Sequence, residues 1–420
     1  MALTAGSFPA GAQTFGQRLG DLWQRLCGPN PSLDSTRIFQ PFKGWGAGVV
    51  YSMTGEQVRI NTDGDFTSGE HGGHVLSTIN LYLLNDVGHS VGVYGRYGPI
   101  QLGFNRHIGR QEGYHRSFNF KWLGNFFCLD ARYISYQSLL GGDISMRAVG
   151  YPNTSLTGYR SSIEVDRRSI ATISTAVVNG IYAFNRKRFA YRAAYNGRVV
   201  QRRSAGSFLV AAKYMYGNFQ LDASDMVLVS LVNGLARFET SQFSLGAGYS
   251  FNWVPYHRDA VSQHDLRGLR NLTFNLTAVP MLTLFNAITS HQYAFRSETF
   301  DYVMDDAQKY RSFSRIQPNF TTRAAVCYNT GRFYVNLWAD YTRFVFQNRN
   351  RTFPVSTGEM DLAQRGDFSS WMVNLQLNYR FENYCYLCST DETQYYKMAG
   401  SPDSAGRPRG GLWRVAPERR

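Results

Sequence analysis

Between positions 371 and 381 the chain reads W-M-V-N-L-Q-L-N-Y-R-F. Val373, Leu375, Leu377, Tyr379 and Phe381 therefore fall on one face of an extended strand, and Asn374, Gln376, Asn378 and Arg380 on the other. The alternation recurs. Phe243, Leu245, Ala247, Tyr249 and Phe251 oppose Ser244, Gly246, Gly248, Ser250 and Asn252, and Leu272, Phe274, Leu276 and Ala278 oppose Asn271, Thr273, Asn275 and Thr277. Strands that are oily on one side and wet on the other, repeated about a dozen times, predict an all-β fold: an antiparallel transmembrane β-barrel, apolar outside and hydrated within. Such a barrel places the chain in a bacterial outer membrane, where the membrane and its lipopolysaccharide are its first partners.

Composition supports this reading. Hydrophobic residues make up an ordinary 43%, yet aromatics reach 15%, and these are the residues that form girdles at the two membrane interfaces. No stretch approaches the roughly 18 apolar residues of a membrane helix. The longest nearly apolar run, 226–236, is broken by Ser230, Asn233 and Gly234. An array of soluble β-sandwiches is the competing architecture, but neither linkers nor a repeat of sandwich size is visible.

Thirteen segments carry the strand pattern: 46–58, 73–85, 90–97, 99–106, 115–123, 126–137, 168–185, 203–216, 241–254, 271–287, 316–329, 331–346 and 368–381. Tight turns are expected at Tyr97-Gly98, Leu123-Gly124-Asn125 and Asn329-Thr330-Gly331, and long loops at 138–167, 217–240, 288–315 and 347–367. Short periplasmic turns and long extracellular loops are the habit of outer-membrane barrels, and both chain ends of such a barrel face the periplasm, which requires an even strand number. The expectation is about 12 strands within a range of about 10–14, with 46–58 taken as the segment that does not span. The barrel is bounded at 44–381. Residues 1–43 read as a residual signal-like segment, with a small-residue cleavage pattern near Ala12, followed by a periplasmic stretch. Residues 382–420, rich in Ser, Pro, Gly and Arg, read as a disordered tail. Val373, Leu375, Leu377, Tyr379 and Phe381 also have the alternation by which the barrel-assembly machinery recognises a last strand.

The most unusual polar segment is 182–207, Y-A-F-N-R-K-R-F-A-Y-R-A-A-Y-N-G-R-V-V-Q-R-R-S-A-G-S. It holds Arg186, Lys187, Arg188, Arg192, Arg198, Arg202 and Arg203 and no acidic residue, in a chain of net charge +14. This stretch resembles a family of Bacteroidetes barrel proteins catalogued as a domain of unknown function. The matching positions are Tyr182, Phe184, Asn185, Phe189, Ala190, Tyr191, Ala193, Ala194 and Tyr195, then Arg203, Ser204, Ala205, Gly206 and Ser207. The resemblance runs over about 75–381; it implies an outer-membrane β-barrel and supplies no activity.

Three roles suit the arginines Arg186, Arg188, Arg192, Arg198, Arg202 and Arg203. In the lumen they would form an anion-attracting constriction or a charge-paired plug, with Asp222, Asp225 and Asp340 as candidate partners. At a rim they would grip lipopolysaccharide phosphates, and in a solvated turn they would do neither. Nucleic acid is a poor fit despite the pI of 9.6, because the basic residues interleave with strand pattern.

No catalytic residue, metal site or cofactor is expected. The chain has no G-x-S-x-G, H-E-x-x-H or P-loop; His71 and His74 flank a Gly pair, and Cys385-Tyr-Leu-Cys388 lacks a second ligand pair. Cys128 and Cys327 lie in strands as small hydrophobes. The expectation is a non-enzymatic structural or partner-binding barrel with a largely filled lumen, the bulky inward candidates being Tyr334, Trp338 and Arg343. A narrow anion-preferring pore and a lipid-modifying enzyme are the alternatives.

Overall fold

The computed structural model describes residues 33–41, 45–68, 74–85, 87–108, 116–124, 127–151, 159–197, 199–222, 235–261, 265–296, 301–313, 316–347, 351–355 and 358–381. Its strands are β1 (Ile38–Phe39), β2 (Trp45–Ser68), β3 (His74–Asn85), β4 (Gly88–Tyr97), β5 (Ile100–His107), β6 (Arg116–Leu123), β7 (Phe127–Tyr151), β8 (Tyr159–Ala183), β9 (Val200–Gln201), β10 (Ala205–Leu221), β11 (Leu235–Arg258), β12 (Arg270–Arg296), β13 (Asp301–Phe313), β14 (Gln317–Asn329), β15 (Phe333–Gln347), β16 (Arg351–Val355) and β17 (Gly358–Arg380), with one helical turn, α1 (Ala193–Asn196).

A closed wall of 12 antiparallel strands runs β2, β4, β5, β6, β7, β8, β10, β11, β12, β14, β15, β17 and back to β2. The count agrees with the sequence reading, but by a different route. Segment 46–58 does span: β2 pairs with β17 along its whole length and closes the barrel. The surplus arises because 73–85 and 90–97 form one descending strand in two pieces. β3 pairs with residues 57–67 of β2, and β4 continues below it against residues 45–54. β3 turns its other edge to β7, whereas β4 turns its own to β5, so the short hairpin β5–β6 is inserted in the lower wall only. β13 and β14 likewise form one descent along β12.

The expected tight turns at Tyr97-Gly98 and Asn329-Thr330-Gly331 are present, with positive φ at Gly98 (55°) and Gly331 (91°), and the one at Leu123-Gly124-Asn125 runs outside the described residues. They define the short-turn, periplasmic end. The expected long loops are largely strand instead: β7 runs to Tyr151, β8 begins at Tyr159, β11 begins at Leu235, and β13, β16 and the first half of β17 occupy most of the rest.

A tilted strand crosses the membrane in about 9–11 residues, whereas β2, β7, β8, β11, β12 and β17 contain 23 to 27. The excess stands above the bilayer, and the polarity of the faces reverses there. In the lower half of β2, Trp45, Val49 and Tyr51 face out and Ser52, Thr54 and Glu56 are buried inside. In the upper half, Arg59, Asn61 and Asp63 are exposed, and Val58 and Ile60 turn inward onto Leu81, Ile144, Ala171 and Leu221. The pairing of β2 with β17 passes through this point without a register shift, so the backbone alternation is continuous and only the chemistry changes phase. A lipid-facing wall needs apolar residues outside; a wall standing in water needs them inside.

Aromatic contacts ring the short-turn end. Trp45 and Tyr97 lie 4.4 Å apart by ring centroids, Phe333 and Tyr379 4.9 Å, and Trp253 and Phe274 5.2 Å. With the apolar outer band above them, these rings make the molecule an outer-membrane barrel.

Candidate functional site

The lumen has three storeys. The lowest is the segment linking β8 to β10, which folds back into the barrel mouth. Phe189 is 2% exposed, Ala194 0%, Val200 1% and Gln201 0%, values of a protein core rather than of a channel lining. The chain before the barrel adds to this plug: β1 pairs with β9, and Ile38 packs on Ala190, Ala193 and Val199. Buried polar groups then tie plug to wall. Tyr195 Oη donates to Asn275 Oδ1 (2.7 Å), Asn252 Nδ2 to the Ala190 carbonyl (2.9 Å) and Asn271 Nδ2 to the Gln201 carbonyl (2.9 Å). Gln201 itself accepts from the Ala190 amide (2.9 Å) and donates to the Arg188 and Arg203 carbonyls (2.8 and 3.0 Å). Each bond satisfies a group that burial would otherwise leave costly.

Three arginines hold the turn from above and below. Arg192, at the start of α1, donates to the Leu123 and Gly124 carbonyls (2.5 and 2.7 Å). Burial pushes its guanidinium down to about 10, which leaves it charged at neutral pH. Arg96 of β4 donates to the Asn196 carbonyl (3.1 Å), and Arg380 at the end of β17 donates to the carbonyls of Gly197 and Gly331. Gly197 needs to be glycine: its φ is 57°, and an added Cβ would lie 2.6 Å from the Tyr334 ring.

The family-motif positions are thus the fastening of the plug. The Asn185 amide donates to Ser207 Oγ (2.9 Å) and its side-chain Nδ2 to the Gly206 carbonyl (2.9 Å). Ser204 Oγ accepts from the Val254 amide (2.9 Å), Tyr182 and Phe184 meet edge to face at 5.3 Å, and Phe189, Tyr191 and Ala194 join the largest core cluster with Tyr334 and Trp338. An added Cβ at Gly206 would lie 2.0 Å from Tyr249 Oη, so a side chain there would have to displace that exposed ring.

The candidate arginines do not converge. Arg192 alone among the described ones is buried, inside the barrel mouth, and its partners are carbonyls, not carboxylates. Arg202 reaches Asp259 (2.8 Å) and the Ser35 carbonyl at the rim, and Arg188 lies 3.9 Å from Asp34. Arg186 and Arg203 are exposed, and Arg198 falls outside the described residues. All of the described ones sit at the short-turn end, away from the outer leaflet. At this rim the hydrogen bond from His257, followed by the charge of Arg202, holds the Asp259 carboxyl below its ordinary value, and the Thr36 hydroxyl does the same for Asp34. Of the proposed carboxylate partners, Asp340 is buried but pairs with Arg323, Asp222 is exposed after β10 at the other end, and Asp225 falls outside the described residues. Tyr334 and Trp338 point inward as expected. Arg343 does not: it sits an odd number of residues away, faces out and pairs with Asp367 at 2.9 Å.

The middle storey is a charged belt. Arg323 bridges Asp340 (3.2 Å) and Asp130 (3.5 Å), Lys121 lies 4.5 Å over the Trp338 ring, Tyr136 Oη donates to Glu56 (2.5 Å), and Lys213 Nζ donates to Thr342 Oγ1 (2.8 Å).

The top storey is apolar. A hollow of about 740 Å³, open mouth included, is lined by Val58, Ile60, Leu81, Ile173, Phe219, Phe238 and their neighbours. Sequence reasoning missed it, although the signal was legible: in 57–63 the apolar residues occupy the face that is polar lower on the same strand.

Residues 71–363 match the family described as Domain of unknown function (DUF4421). No curated protein matches the chain. Among solved structures, the chain is similar to the outer membrane protease OmpT of Escherichia coli (10% identity, 80% of this chain and 97% of that one, TM-score 0.27) and to the translocator domain of the autotransporter NalP of Neisseria meningitidis (9%, 87% and 94%, TM-score 0.29). It is also similar to the P. putida toluene transporter TodX (6%, 80% and 91%, TM-score 0.22).

Proposed function

The chain belongs to the family described as Domain of unknown function (DUF4421), and from that premise we propose that it is a sealed, non-enzymatic outer-membrane barrel that serves as a scaffold or binding protein. A Bacteroidetes-type bacterium is the proposed source, on the resemblance of segment 182–207. The observation that carries the reading is the plug, whose Ala194 and Gln201 have no solvent exposure and whose Ala190 and Gln201 carbonyls are bonded by Asn252 and Asn271 of the wall. Water-filled pores keep a continuous hydrated path; here the path is interrupted by a packed core at the periplasmic mouth. Two of the described histidines serve structural contacts, His89 with Tyr51 Oη (2.7 Å) on the outer face and His257 with Asp259 (2.9 Å) at the rim.

Single-channel recording in a planar bilayer tests this reading. The intact barrel is expected to insert and remain electrically silent, and replacement of residues 188–201 by a short turn to produce steps. Steady anion-selective steps from the intact protein, lost on substituting Arg192, Arg198 and Arg202, would establish the pore instead.

A further inference from the structure

We propose that the apolar hollow in the outer half of the lumen is a binding chamber for a single-chain amphiphile with an anionic head, taken up from outside the cell. The inference builds on the sealed-lumen reading, in which the plug closes the lower end of the shaft. Three observations carry it.

The surface of the hollow is apolar. Its walls are Val58, Ile60, Leu81, Ile173, Phe219 and Phe238. Water in such a space makes few hydrogen bonds, so an alkyl chain gains by replacing it.

The floor is of a different character. Thr175, Met215 and Phe368 line both the chamber and a second hollow beneath it, which holds Glu56, Arg132 and Lys213. The described inward-facing ionisable side chains of this belt are Lys121, Arg132, Lys213 and Arg323 against Glu56, Asp130 and Asp340, one cation in excess. Lys213 is 4% exposed. It donates to the hydroxyls of Thr342 (2.8 Å) and Thr321 (3.4 Å) and lies 4.7 Å over the Phe344 ring. An ammonium held by neutral oxygens at the base of an apolar shaft attracts an anion, because a carboxylate or sulfate there gains a charge-assisted bond in a medium of low dielectric constant.

The outer face at the level of the chamber fixes the source. Arg59, Asn61, Asp63 and Arg365 are exposed there, so this part of the wall stands in water and bilayer lipid does not contact it. The ligand enters with its head toward Lys213 and its tail against Ile60 and Phe219.

The test uses the full chain in lipid nanodiscs with dodecanoic acid bearing a diazirine at its far end, irradiated and mapped by peptide mass spectrometry. Bilayer partitioning alone labels lipid-facing residues such as Leu245 and Leu337, whereas the chamber labels the peptides of Ile60, Leu81 and Phe219, in a manner competed by unlabelled dodecanoate. Ile60→Gln and Phe219→Gln should each cut chamber labelling about tenfold, because a polar group is then placed in the shaft. Lys213→Met should weaken the acid about tenfold, leave the matching photoreactive dodecanol within about twofold, and be rescued by Lys213→Arg. Heat-modifiable migration shows that each variant is folded. Labelling confined to lipid-facing peptides, or chamber labelling that excess dodecanoate does not compete, would overturn the proposal, as would an equal effect of Lys213→Met on acid and alcohol. Conductance of the same preparation separates the two readings: current with chamber labelling intact sinks the seal alone, and silence without chamber labelling sinks the chamber alone.

Discussion

The two halves of β2 are made by one uninterrupted alternation, yet they are opposite materials. Below, Val49 and Tyr51 meet lipid while Ser52 and Thr54 are buried in the lumen; above, Arg59 and Asn61 meet water while Val58 and Ile60 pack inward. The lesson is that the solvent outside, not the strand, decides which face carries the oil. The lower half has to fill a polar interior with side-chain networks and an inturned plug. The upper half can collapse its interior by hydrophobic burial, and does so except where the chamber is left.

The sharpest way to break this comparison is to unbalance the lower interior. Asp340 and Arg323 are 6% and 8% exposed and 3.2 Å apart, and removing one partner of a buried pair costs about 3–5 kcal/mol. Asp340→Ala should lower the free energy of unfolding in vesicles by that amount, and Asp340→Leu with Arg323→Met should recover most of it. Next in size is the outer face. Val49→Arg places a guanidinium near the middle of the apolar band and is expected to cost about 2–4 kcal/mol, whereas Asn61→Arg, on the same face of the same strand, should stay within about 0.5 kcal/mol. Equal costs would mean that the band does not end between them. Smaller again is Ile144→Val in the upper interior, where Ile144 is 3% exposed and loss of one buried methylene costs about 0.5–1.5 kcal/mol.

The mildest effect is acid loosening of the plug rim. Asp259 and Asp34 have folded carboxyls below their ordinary values. Their contribution is therefore complete above the unfolded pKa and is lost as pH falls through the folded one, a window below about pH 4. Hydrogen exchange at 37–39 and 200–203 should accelerate in that window. Asp259→Asn should show the faster exchange at neutral pH as well.

Much of the lower half was legible in the sequence, because 371–381 and 243–252 alternate without a break and face lipid as they read. The number of strands was legible only in part. Nothing local distinguishes the link 86–87 from a hairpin turn; what makes β3 and β4 one descent is that β3 pairs with β7 and β4 with β5, and pairing is non-local. The upper half was hidden because Arg59, Asn61 and Asp63 look like loop residues when apolar-out is the expected phase. The segment 182–207 announced itself by its arginines, but the residues buried deepest in the inturned plug are Phe189, Ala194 and Gln201, whose placement depends on folding back. Arg343 was assigned to the lumen although its parity with Tyr334 and Trp338 places it outside.

The reversal of polarity along β2 is tested most directly by a nitroxide scan of positions 47–63 in a cysteine-free background, reading relaxation by lipid-soluble oxygen against a water-soluble nickel chelate. Labels at 49, 51 and 53 should respond to oxygen and labels at 59, 61 and 63 to nickel, with the change falling near Glu56. Oxygen access on odd positions continuing unbroken to Asp63 would contradict the account.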